Sequence, residues 1–331
     1  MNAEPGNTSS QLVSIVVPVF NEAEVLRDAW MRLGEVMRDT GFRYEIVFIN
    51  DGSSDNSETI LNEIFDQDPS ATCIHFSRNF GKEYALTAGL DFATGDAAIM
   101  IDADLQDPPE LIPDMLKEWQ NGFDVVTMRR VSRDGETVIK KSTAWLFYRL
   151  LNRISDVSIP PDTGDFRLLS KKAIRAVRDL PERVRYMKGI FAWVGFRQKE
   201  ITYERSSRAA GTTKWGYLRL MRLALDGITA FSTTPLRLAS YVGFITAIGA
   251  FFFGLWTVAK TLIFGDPVAG FPTLLTSMMF LGGIQLMAIG VLGEYLGRLF
   301  IESKARPHYL VRNVLRHDST LPGREPDAGS D

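Results

Sequence analysis

A single cysteine, Cys73, rules out an internal disulfide and fits a reducing compartment. Flanked by Thr72 and Ile74 in a predicted strand, it reads as a small core side chain. Histidine is nearly as scarce: His75, His308 and His317 are scattered, and no zinc site can be assembled from them. No Gly-x-x-x-x-Gly-Lys-Ser/Thr loop occurs, and no Gly-x-Gly-x-x-Gly follows the first strand. Kinase, NTPase and dehydrogenase readings lose most of their support. An excess of one charge is also missing: 37 Lys and Arg against 40 Asp and Glu leave −3, so nothing points to nucleic acid. No secretory signal opens the sequence, and residues 1–12 are expected to be a disordered N-terminus.

Long apolar runs, in contrast, are present. Residues 238–259 and 268–293 carry no charged side chain, Lys260 lying just beyond the first. A helix over the first run would reach roughly 33 Å, against a bilayer core of about 30 Å. Two transmembrane helices are therefore expected, at about 236–260 and 270–296 within a hairpin over 235–300. The intervening loop has Asp266 and neither Lys nor Arg. Arg219, Arg222 and Arg237 precede the hairpin, and Arg298, Lys304, Arg306, Arg312 and Arg316 follow it. By the positive-inside rule, the preceding domain and a tail at 301–331 both lie in the cytoplasm. Residues 215–234, with Trp215, Tyr217, Leu218 and Phe231 among arginines, read as an amphipathic helix on the membrane surface. Gly282, Gly283, Gly290, Gly293 and Gly297 supply small faces for homo-oligomerisation through the spans, or for packing the hairpin on itself.

The remainder, residues 13–214, alternates strand and helix patterns. Strands are predicted at Val13–Phe20, Tyr44–Asn50, Ala71–Ser77, Ala97–Ile101 and Asp124–Met128, and an edge strand at Ile201–Arg205. Helices are predicted from Asn21 to about Asp39, through Phe65, to Phe92, and over 110–121, 142–154 and 170–178. This order predicts an α/β domain with a mostly parallel, Rossmann-like sheet. In such sheets ligands bind outside the carboxyl ends of the strands.

The run Ala97–Ile101 ends there in Asp102-Ala103-Asp104, followed by Gln106 and the pair Pro108-Pro109, which fits the first turn of a helix. Two carboxylates and an amide oxygen are hard donors suited to Mg²⁺ or Mn²⁺, and such an ion completes its shell with water and substrate phosphate. A divalent ion against a diphosphate leaving group, with Arg and Lys nearby, makes chemical sense of the combination.

Val-Pro-Val-Phe-Asn-Glu at 17–22, Asp-Gly-Ser-Ser-Asp at 51–55 and Asp-Ala-Asp-Leu-Gln-Asp-Pro-Pro-Glu at 102–110 resemble family-2 glycosyltransferases of the GT-A fold. Asp-Thr-Gly-Asp-Phe-Arg-Leu at 162–168 and Ser-Arg-x-x-Gly-x-Thr-Lys-Trp at 207–215 narrow the resemblance to polyprenyl-phosphate glycosyltransferases, such as the bactoprenol glucosyltransferase and dolichol-phosphate mannose synthase groups. It spans roughly residues 13–310. The resemblance implies that Pro18, Phe20, Glu22 and Asp51 hold the nucleotide, and that Ala103 approaches it. It also implies that Asp102, Asp104 and Gln106 hold the metal, and that Arg129 or Arg130, Arg208 and Lys214 lie near the phosphates. Asp165 matches the position proposed as catalytic base. A phosphate monoester acceptor is mostly dianionic near neutrality and hardly needs one. Asp165 could instead orient Arg167, a candidate for the acceptor phosphate, or the sugar.

The implied activity is inverting transfer of one sugar from a nucleotide-diphosphate sugar, UDP-glucose first, to undecaprenyl phosphate, for cell-envelope glycosylation. A flippase and a downstream glycosyltransferase would follow it. Its rivals are the same chemistry with GDP-mannose or a modified UDP-sugar, and a non-catalytic membrane scaffold. No Gln-x-x-Arg-Trp motif is present, which disfavours a processive synthase.

Overall fold

The computed structural model describes residues 10–130, 163–203, 234–264 and 270–317. The predicted helix at 142–154, all but the last residue of that at 215–234, and the first nine residues lie outside that set. In chain order the elements are β1 (Leu12–Val19), α1 (Leu26–Thr40), β2 (Arg43–Asn50), α2 (Ser57–Gln67), β3 (Ala71–Phe76), α3 (Lys82–Phe92), β4 (Ala97–Met100), α4 (Ile112–Gln120), β5 (Val125–Arg130), β6 (Thr163–Ser170), α5 (Lys171–Arg178), α6 (Met187–Trp193), β7 (Gln198–Tyr203), α7 (Thr234–Phe264), α8 (Phe271–Ser303) and β8 (Val311–Leu315).

The strands form one sheet in the order β7-β5-β6-β4-β1-β2-β3-β8. The β4, β1, β2 and β3 ladders are parallel, so all four carboxyl ends open on one edge. Alternate residues of β1 point to opposite faces. Ile15 and Val17 join a core under α1, α2 and α4, whereas Val16 joins a second core under α3, α5 and α6. Gly89 lets α3 lie directly on β1, since a Cβ there would meet Val16 Cγ1 at 2.1 Å. Cys73 is fully buried, as expected.

Two strands were not predicted. The first, β6, enters antiparallel between β4 and β5, pairing Met100 with Arg167 and Ala97 with Ser170. Continuing that ladder past β4 sets Asp165 opposite Asp102. The second, β8, lies in the segment expected to be a tail. It pairs antiparallel with β3, where Tyr309 stacks on Phe76 at 4.9 Å and its hydroxyl donates to Asp91 at 2.9 Å. All of β3 is buried. Its outer edge would otherwise offer an unpaired row of backbone donors and acceptors, which the returning chain covers.

Both α7 and α8 are long and apolar enough to cross a membrane. Each exceeds the predicted span, and α8 runs on to Ser303. The small-residue positions Gly282, Gly283, Gly290, Gly293 and Gly297 have open space beside them among the described residues.

Candidate active site

At the carboxyl ends of β1 and β2, two loops are laced together. Asn21 takes a left-handed φ of 57°, its N–H donates to Ser53 Oγ at 3.0 Å, and its Oδ1 accepts from Ser54 N at 2.8 Å. Glu22 N donates to Ser57 Oγ and Ala23 N to Asp55 Oδ2, both at 3.1 Å. This lacing uses the residues predicted to open a helix, which is why α1 starts only at Leu26. Phe20 stands beside it, 45% exposed, an apolar face left open at the sheet edge. Pro18, next to last in β1, is half-buried.

Asp51 follows β2 and is 3% exposed. Its two oxygens accept from Phe80 N at 2.6 Å and Gly81 N at 2.9 Å, so it clamps the loop that leads into α3. Burial pushes its carboxyl upward, opposed by those two hydrogen bonds. Gly52 permits this approach: a Cβ there would lie 2.4 Å from the Arg78 carbonyl carbon, and its φ is +65°.

Beyond β4 the acidic loop is ordered by its own side chains. Asp104 Oδ1 accepts from Gln106 N at 3.1 Å across Leu105, which takes a left-handed φ of 53°. Asp102 and Asp104 stay partly open, while Ala103 between them and Gln106 after them are buried. Tyr203, the last residue of β7, donates its hydroxyl to Asp107 and ties the loop to the far side of the sheet. Among the described residues no group of three or more His, Cys, Asp or Glu encloses a metal. Two partly exposed carboxylates fit an ion such as Mg²⁺, which takes one or two carboxylates and keeps the rest of its shell for water and phosphate, although Lys82 holds Asp102 in this structure.

The acidic loop meets an ammonium. Lys82, first residue of α3, lies 2.6 Å from both Asp102 and Asp165. Burial works against its charge, but the two carboxylates hold its pKa above the ordinary lysine value. Burial alone would lift Asp165 as well; Lys82, Lys188 and Arg167 around it keep it well below the usual carboxylate range. Its neighbour Arg167 is 4% exposed and is lowered to about 10 by burial. One Arg167 nitrogen donates to Gly164 O at 2.9 Å, and the guanidinium lies 4.3 Å from the centre of the Phe191 ring. Glu83 accepts from Met187 N at 3.1 Å and is pushed up to about 7 by burial and by Asp165.

Residues 14–178 match the description "Glycosyl transferase family 2". The chain is 48% identical to the bactoprenol glucosyl transferase of Shigella phage SfV, over 91% of this chain and 98% of that protein. The chain belongs to glycosyl transferase family 2. An uncharacterized family relative from Synechocystis sp. is 46% identical over 91% of this chain and 95% of its own length. A Bacillus subtilis relative, also an uncharacterized glycosyltransferase, is 46% identical over 90% and 93%. The alternating sheet with its acidic strand end is thus the GT-A sheet of this family.

Within this family-2 glycosyltransferase, the structure gathers Asp102, Asp104, Asp165 and Arg167 at one end of the sheet, with the Phe20 and Asp51 loops across β1 and β2. It does not bring Arg129 to them: that guanidinium pairs with Glu200 at 3.2 Å, across the β5–β7 ladder. Arg130 closes β5. Arg208 and Lys214 lie outside the described residues. Sequence reasoning missed Lys82, Glu83 and Lys188. One signal was there for the first two: they open the helix that follows a parallel strand, on the edge where ligands bind.

Proposed function

We propose that this protein transfers glucose from UDP-glucose to undecaprenyl phosphate, with inversion, at the cytoplasmic face of the membrane. The observation that carries the reading is the likeness to bactoprenol glucosyl transferases over nearly their whole length, apolar C-terminal helices included. A polyprenyl acceptor cannot leave the bilayer, so a cleft joined to two spanning helices is what its phosphate requires. The basic flanks of the hairpin support a cytoplasmic catalytic domain and C-terminus.

Phe20 would stack on the base, with Pro18 and Glu22 framing base and ribose, and Asp51 acting through the loop it clamps. Asp102 and Asp104, with Gln106, would hold Mg²⁺ or Mn²⁺, which when bound supplies positive charge to the departing diphosphate. Arg208 and Lys214 would add a bidentate fork and a point charge to the same phosphates. Tyr203, bonded to the acidic loop, starts the segment that carries both. Asp165 reads as an orienting carboxylate rather than a base, because it is already ion-paired with Lys82 at 2.6 Å and a dianionic acceptor needs no base. Lys82 would fix the spacing of Asp165 and Asp102 while the sugar passes from diphosphate to lipid phosphate.

Transfer of radiolabelled sugar to undecaprenyl phosphate in detergent, with Mg²⁺ or Mn²⁺, tests this. UDP-glucose, UDP-galactose and GDP-mannose are compared, with Asp104→Ala alongside. Metal-dependent labelling from UDP-glucose, reduced on the order of 10²-fold or more in the variant, is expected. Labelling from a different donor would overturn the sugar assignment, and none from any donor, in a protein that still binds UDP, would overturn the reaction.

A further inference from the structure

One wall of the cleft carries positive charge that nothing in the donor site uses. Lys82 is spent on Asp102 and Asp165. Arg167 is not: its Nε is buried without a hydrogen-bond partner. Lys188 lies on α6 between two fixed points, one residue after Met187, whose N–H is bound by Glu83, and three before Phe191, whose ring carries the Arg167 guanidinium. Residues three apart share a helix face, so Lys188 and Phe191 look the same way. The Lys188 ammonium makes no ion pair or hydrogen bond among the described residues, while the Asp165 carboxylate and the Arg167 guanidinium are the charges it feels most strongly. Asp165 is already paired with Lys82, so the half-buried ammonium and the guanidinium with its orphaned donor have no anion of their own.

The same wall is fastened to a membrane helix. Glu302, near the end of α8, accepts from Arg183 N at 2.9 and 3.0 Å and from Val184 N at 3.1 Å. Arg183 donates to Arg306 O at 2.6 Å, and His308 meets Glu182 O at 3.1 Å. The segment that presents Lys188 therefore begins where the apolar helix ends. The nucleotide loops, by contrast, lie across β1 and β2.

We propose that Lys188 and the free Nε of Arg167 form the seat of the acceptor's phosphate monoester, on the wall that the end of α8 holds at the membrane. This rests on the proposed transfer to a lipid phosphate. Lys supplies a point charge and Arg a directed donor, and Asp165 stands beside both to keep them in place. No covalent step is assigned to Lys188.

The test uses the full chain in detergent, with UDP-glucose and undecaprenyl phosphate varied separately for wild type, Lys188→Gln and Lys188→Arg, and with UDP binding by calorimetry as the fold check. Loss of one charge-assisted hydrogen bond should raise KM for the lipid about tenfold or more in Lys188→Gln, with KM for UDP-glucose and UDP affinity within about twofold. Lys188→Arg should recover most of the lipid KM. An unchanged lipid KM, or both KM values rising together in a variant that binds UDP normally, overturns the seat. Absence of lipid product in wild type overturns the transfer reaction itself, so the two failures are told apart.

Discussion

The two walls of the cleft are built in different ways. The nucleotide wall is made of two neighbouring loops laced by Asn21, Ser53, Ser54 and Asp55 through short polar side chains. The opposite wall is assembled from β6, α6 and the end of α8, and its contacts join residues as far apart as Arg183 and Glu302. The first wall joins two loops that follow neighbouring parallel strands. The second exists only once the sheet is complete and the C-terminal segment has returned to it. A site built this way can keep its donor cradle constant while the acceptor wall follows the membrane anchor.

The sharpest way to break the comparison is to remove a side chain that bridges the acidic loop to the second wall. Lys82→Met leaves Asp102 and Asp165 facing each other without their shared cation, and turnover should fall on the order of 10²-fold while UDP still binds. Turnover equal to wild type would show that the walls are held apart by other means. A second variant sharpens the contrast from the donor side. Phe20→Ala removes the exposed ring, so KM for UDP-glucose should rise about tenfold, as expected for loss of one aromatic–base stack, with KM for the lipid unmoved. A matching rise in the lipid KM would mean that the ring serves both substrates.

The smallest expected effect concerns Glu83, which faces Asp165, Lys82, Lys188 and the Met187 N–H. Its folded pKa of about 7 lies above the ordinary 4.5, so the folded protein binds more protons than the unfolded chain between those values. Stability is then undiminished below about pH 4.5 and declines as pH rises through about 7. Glu83→Gln should remove that decline, and thermal melts of both proteins across the window would check it. Parallel melting profiles would place Glu83 in a solvated setting instead.

The same contrast explains what could be read from the chain. Asp102 and Asp104 announce themselves because they end an apolar strand and precede a proline pair, all within a dozen residues. The parallel core was legible for a similar reason: runs such as Val13–Val19 and Arg43–Asn50 alternate with amphipathic helices. Lys82 could not stand out, being one charge at a helix start, and its importance depends on the β4–β6 register that sets Asp165 opposite Asp102. The strand β6 was hidden by Gly164, Asp165 and Arg167, although Phe166 and Leu168 do alternate toward one core. For β8, five residues with an arginine inside carry too little local signal, and what fixes them is the open edge of β3. Arg129 shows the reverse case: a basic residue in the right motif context that in this structure pairs with Glu200 on a neighbouring strand.

The return of the chain to β3 also sets how the domain can move. A body leashed at one point swings and tilts freely. Here the segment leaving α8 is gripped at once, through Glu302, and again further on by Tyr309, Arg312 and the β8 ladder. Such a double mooring limits pivoting about the end of the helix. Encounter with a lipid-borne partner then becomes a search in a plane, in which the depth of the headgroup, and not the length of the buried tail, decides what can engage.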